Sequence, residues 1–116
     1  MNDEVVYFTD GSRLEQTGRT GASVFIESHN IKQVVPLGHY ATVFQAEVYA
    51  IRICVSYLCD EVNASIAICS DSQAALKALA AAKTTSQLVL ETMKALTNFL
   101  YITVLDYCGY LVTVIL

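Results

Sequence analysis

With 116 residues, the chain has room for one hydrophobic core and one domain. Seven Lys and Arg against eleven Asp and Glu leave a formal net charge of −4, which excludes nucleic-acid binding by bulk electrostatics but suits carboxylates gathered around a cation. A hydrophobic fraction of 54% and a mean hydropathy of +0.46 point to a largely buried sheet. The one membrane-like stretch, Tyr101 to Leu116, carries Asp106 and is shorter than the ~18 apolar residues of a span, so no transmembrane helix is predicted.

The acidic start Met1-Asn2-Asp3-Glu4 predicts no secretory signal and an intracellular chain. Val5 to Ser12 reads as a buried strand of valines and aromatics that ends on an acid and a glycine. Gly11 is expected to turn the backbone sharply, leaving Asp10 displayed at the strand's end. Arg13 to Thr20 is a polar loop. Gly21 to Ser28 and Ile31 to Leu37 are two more strands, joined by a tight His29-Asn30 turn in which Asn accepts a left-handed conformation. The three strands form an antiparallel meander, and Pro36 puts the third on the sheet's edge.

From Thr42 to Leu58 the apolar period changes from strand to helix. Val43, Glu47, Ala50, Ile51, Cys54 and Leu58 share one face, with Glu47 in its middle. Ser65 to Ser70 returns to strand character and stops at Asp71; the intervening helix lets this strand run parallel to the first. Ser72 is a helix-cap candidate before the Ala-rich helix Gln73 to Lys83. Thr84-Thr85-Ser86 breaks and caps again before a helix from Gln87 to Phe99, and Tyr101 to Leu105 is a fifth strand. Cys54, Cys59, Cys69 and Cys108 form no CxxC pair and have no histidine at ligand spacing, so they read as structural thiols, with Cys54 and Cys69 on buried faces.

Parallel neighbouring strands ending at Asp10 and Asp71 would bring both acids to one sheet edge, and Glu47 can point toward them. Three carboxylates in one pocket repel, so they shift their pKa or bind cations. Hard oxygen donors favour Mg²⁺ or Mn²⁺. Each acid also has an ordinary reading: Asp10-Gly11 as a turn pair, and Asp71 as a helix cap. Glu47 on an apolar stripe is the least ordinary of the three.

Three stretches, Tyr7-Phe8-Thr9-Asp10-Gly11-Ser12, Thr42 to Ala50 around Glu47, and Ser70-Asp71-Ser72-Gln73-Ala74-Ala75-Leu76, resemble type 1 ribonuclease H, most of all the domains inside reverse transcriptases of non-LTR retrotransposons. The resemblance covers about Val5 to Leu105. It implies an α/β fold with a five-stranded mixed sheet, strands 1–3 antiparallel and 4–5 parallel to 1, flanked by helices. It implies metal-dependent endonucleolytic hydrolysis of the RNA strand of RNA–DNA hybrids, with Mg²⁺ (or Mn²⁺) on Asp10, Glu47 and Asp71 as catalytic carboxylates. Gly11, Ser12 and Gln73 match positions that touch the hybrid, where 2′-hydroxyls and groove shape are read. The hybrid and the rest of a reverse transcriptase polyprotein are the implied partners, with no membrane.

The resemblance fails after the fifth strand. A Gly-His loop and a closing helix with a fourth acid should follow, but Tyr110 stands in place of the histidine, and Leu111 to Leu116 is apolar. The expected division is therefore a ribonuclease H-like domain over 1–106, last helix missing, and a divergent tail over 107–116. That tail is aggregation-prone unless it pairs with an edge or fills the helix's place. Asp106 lies too early to replace the fourth acid. The expected activity is weak or lost, and the alternative is a non-catalytic nucleic-acid-binding or structural remnant of the same fold. A haloacid-dehalogenase phosphatase is excluded because its nucleophile position holds Phe8, and sugar-kinase or actin-like ATPases because no glycine-rich phosphate loop is present.

Overall fold

The computed structural model describes residues 4–58, 65–81, 83–97, 101–105 and 111–115. Three strands, β1 (Glu4–Arg13), β2 (Thr20–Ile26) and β3 (Ile31–Gly38), form the antiparallel meander. β3 lies at the edge of the sheet with Pro36 exposed, where a missing backbone N–H costs no ladder bond. The β2–β3 connection is longer than a two-residue turn. Glu27–His29 forms a 3-10 turn, and Asn30 then takes φ 52°, the left-handed conformation that Asn tolerates.

Helix α1 (Val43–Leu58) crosses from the meander to β4 (Ser65–Cys69), which pairs parallel to β1 from Glu4↔Ser65 to Phe8↔Cys69. Thr42 and Gln45 close the start of α1 reciprocally. The Gln45 amide N–H donates to Thr42 Oγ1 (3.1 Å), and the Thr42 N–H donates to Gln45 Oε1 (2.9 Å), a capping box written as T-x-x-Q. Helix α2 (Gln73–Ala80) stops three residues short of the expected Lys83, and α3 (Gln87–Leu96) follows. Ser72 and Ser86 are their N-caps, accepting from Ala75 N–H and Val89 N–H.

The sheet has six strands, not five, in the order β3-β2-β1-β4-β6-β5. β5 (Tyr101–Leu105) keeps the expected direction, parallel to β1, but does not pair with β4. Leu111–Ile115 of the apolar tail is a strand, β6, that pairs antiparallel with β4 on one side and with β5 on the other. A run of β-branched residues without charge satisfies its backbone on both sides there, which answers the aggregation liability better than an edge position would. No helix follows β5 among the described residues. Cys59, Asp106, Cys108 and Tyr110 lie outside the described residues.

The core joins the inward face of the sheet to the helices. Tyr7, Ala22, Val24, Ile26, Ile66 and Ile68 pack with Ala46, Ala50, Ile51, Cys54 and Leu58 of α1, and Leu76, Leu79, Val89 and Leu96 extend the cluster. Tyr7 meets Tyr57 edge to face, with ring centroids 6.5 Å apart. Val43, expected on the buried face, is 42% exposed because it begins the helix beyond the sheet. Cys54 is buried, and burial pushes its thiol far up, which makes it inert; Cys69 is only half-buried.

Candidate active site

Asp10 does not end its strand. β1 continues through Arg13, and Gly11 has no positive φ. What ends is the pairing with β4. The last parallel pair is Phe8↔Cys69, and the Thr9 hydroxyl donates to the Cys69 carbonyl at 3.1 Å. Asp10 and Asp71 each lie two residues beyond that pair, so both emerge in the notch where β4 turns away from β1.

Gly11 serves a close approach instead of a turn. A Cβ there would lie 2.6 Å from the Glu47 backbone nitrogen and 2.8 Å from the Ala46 carbonyl carbon. The absent side chain lets α1 rest directly on β1. Ala46 and Ala50, both fully buried, keep the same interface thin. This contact delivers Glu47 to the notch.

Carboxylate oxygens of Asp10, Glu47 and Asp71 all lie within 4.8 Å of one another. The two aspartates are exposed, while Glu47 is 7% exposed. Burial, together with the nearby charges of Asp71 and Asp10, raises the Glu47 carboxyl from 4.5 to about 7, although a backbone N–H donated by Gly11 works the other way. Glu47 Oε2 is buried with no hydrogen-bond partner among the described residues. A buried acceptor left without a donor is costly, and a cation facing it would remove that cost. Three hard oxygens at this spacing, one of them orphaned, fit a divalent ion.

The ordinary readings of the aspartates do not hold. Asp10 is inside a strand and not in a turn. The cap of α2 is Ser72, whose Oγ accepts from Ala75 N–H at 3.1 Å, leaving the Asp71 carboxylate to the notch. Ser72 is held in turn, its N–H donating to the buried Ser70 Oγ at 3.1 Å.

The other three expected positions separate. Ser12 is exposed on β1, two residues past Asp10 and on the same side by strand alternation. Gln73 is exposed at the first position of α2, beside Asp71. Gly11 is buried, and its amide is engaged with Glu47, so it acts on the site through that side chain.

Two fastenings near the site went unread in the sequence. The Thr42–Gln45 box fixes the first turn of α1 just ahead of Glu47, and its pattern was there to find. The Thr20 hydroxyl donates to the Ala41 carbonyl at 2.8 Å, tying the start of β2 to the approach of α1; no local pattern announces that bond. Beside it, a Cβ on Gly18 would lie 3.6 Å from Arg13 Nη2 and 3.7 Å from His39 Nδ1, so two basic side chains converge on the β1–β2 loop.

Compared with known families, residues 2–108 match the family model described as RNase H. No curated protein matches the chain.

Proposed function

Because the chain belongs to the RNase H family over residues 2–108, we propose that it hydrolyses the RNA strand of RNA–DNA hybrids endonucleolytically, with Mg²⁺ or Mn²⁺ bound by Asp10, Glu47 and Asp71. The observation that carries this reading is the convergence of the three carboxylates around the orphaned Glu47 Oε2. The bound cation supplies positive charge against the negative charge that develops on the scissile phosphate.

The chain's own residues do the rest. Glu47, fixed from behind by the Gly11 amide, anchors the ion from the protein side. Asp10 and Asp71 are exposed and hold the ion where a phosphate can reach it. Ser12 and Gln73 flank the notch with a hydroxyl and an amide, groups suited to 2′-hydroxyls in the groove of an A-like duplex. Arg13 at the end of β1 and His39 just after β3, whose side chains meet at the β1–β2 loop, offer hydrogen-bond donors to flanking phosphates. This local arrangement, more than net charge, is what a chain of −4 uses to hold a polyanion.

The motif sequences around Asp10, Glu47 and Asp71 support a place beside the domains of non-LTR reverse transcriptases, with such a polyprotein as context. A second reading, a hybrid-binding or structural remnant, draws support from the cluster's size: it holds three acids among the described residues and no fourth. Cleavage of a labelled hybrid in Mg²⁺ and in Mn²⁺, beside Asp10→Asn, separates the two. RNA-strand cutting abolished in the variant establishes the nuclease. A folded protein that binds hybrid without cutting establishes the remnant.

A further inference from the structure

Side chains alternate along a strand. On β1, Tyr7, Thr9 and Gly11 face α1 and are buried, so Val6, Phe8, Asp10 and Ser12 face the other way. The three helices pack on one another and share a single core with the inward face. Across the outward face of β1 and β2 the chain leaves two aromatic rings open, Phe8 at 47% and Phe25 at 42% exposure. They are direct partners in the β1–β2 register, with ring centroids 6.4 Å apart and planes tilted by 33°.

We propose that this face is a stacking platform for unpaired, single-stranded nucleic acid. Phe8 and Phe25 lie under neighbouring bases, and Lys32, beyond Phe25 on β3, takes a phosphate at the Phe25 end. Every base has a π-face, so such stacking is tolerant of sequence. Exposed aromatics on adjacent strands of an open sheet are also how some RNA-binding sheets hold two or three bases.

Charge and position both favour this occupant. Lys32 is exposed, is the register partner of Phe25 on β3, and forms no ion pair among the described residues. A shallow depression of ≈ 340 Å³ lined by Val6, Phe8, Glu27 and Ser28 adjoins the first ring. The Glu27 carboxylate in it can accept from base N–H groups, which puts the phosphates on the Lys32 side. The platform also runs into the acid cluster. Phe8 and Asp10 are two residues apart on one side of one strand, ~7 Å in extended chain. A base on Phe8 therefore lies beside the carboxylates, and an unpaired flank of a cleaved duplex has a place to rest. That continuity rests on the nuclease reading; the platform itself does not.

The test is fluorescence anisotropy with an end-labelled 12-nucleotide oligothymidylate and the full chain in EDTA. Binding is expected. Phe25→Leu, which keeps apolar bulk but loses the π-face, should weaken it about tenfold, while Phe25→Tyr should stay within about twofold of wild type because it keeps the ring. Lys32→Glu should weaken it and flatten its salt dependence. Absence of binding by the folded wild type overturns the proposal, as does equal binding by Phe25→Leu. Sedimentation showing a dimer that the ring substitutions dissociate, with oligothymidylate binding unchanged, overturns it too, and makes the face a self-association surface. A blunt-ended hybrid offers no unpaired flank, so its cleavage by wild type, run alongside, tests the nuclease reading alone.

Discussion

The two sides of β1 have opposite tasks. Inward, Tyr7, Thr9 and Gly11 are buried on the side that packs against α1; outward, Phe8, Asp10 and Ser12 are exposed. One strand of ten residues therefore holds the fold with its odd positions and offers chemistry with its even ones. Glu47 crosses this division. It comes from the buried layer, yet its carboxylate ends in the outward notch, which is why burial raises its pKa.

Substitutions on the two sides should separate stability from activity. The largest effect on folding belongs to Tyr7→Ala, which empties a fully buried ring position and should cost about 3–5 kcal/mol in chemical denaturation. That is a large share of the roughly 5–15 kcal/mol that holds most domains. Next comes Gly11→Ala, whose methyl meets α1 backbone that cannot move aside. A loss of about 2 kcal/mol is expected, and cleavage should fall further than stability because Glu47 shifts with the helix. Wild-type cleavage by a stable Gly11→Ala protein would show that the close approach is not needed.

Glu47→Gln sharpens the comparison through pH. The native carboxyl, at about 7 against 4.5 for its ordinary value, holds its proton more tightly than the unfolded chain does. Stability of the metal-free protein should therefore fall as pH rises from about 4.5 to 7 and level off above. Glu47→Gln should flatten that fall while abolishing cleavage. Added Mg²⁺ at pH 8 should raise the Tm of wild type and leave the variant unmoved, since an ion bound only by the native state stabilises it. The smallest effect is on the outward side, where Phe25→Thr should change stability by no more than about 0.5 kcal/mol. A loss as large as that of Tyr7→Ala would mean that the ring is part of the core.

What the sequence made legible was local or periodic. The helical stripe through Glu47, the serine caps, the meander and the left-handed Asn30 each follow from a few neighbouring residues, and so did the positions of the three acids. The errors had another source. Gly11 reads as a turn because glycine's two uses, free backbone and absent side chain, look alike until the facing helix is known. The six-residue apolar tail carries a strand's composition, but its place between β4 and β5 depends on partners more than 40 residues away in one case. No window of sequence contains that pairing.

The position of β6 also bears on how the protein is made. A ribosome releases β5 before β6, yet every ladder bond of β5 goes to β6. Until Leu111–Ile115 emerges, the nascent chain carries β5 without a partner and β4 with one bare edge. Both are templates for the wrong strand. The half of the sheet that carries Asp10, with α1 packed on it, can close early on the emerging chain, while the far half waits. Crowded polysomes should therefore be a condition under which this protein is lost to aggregation.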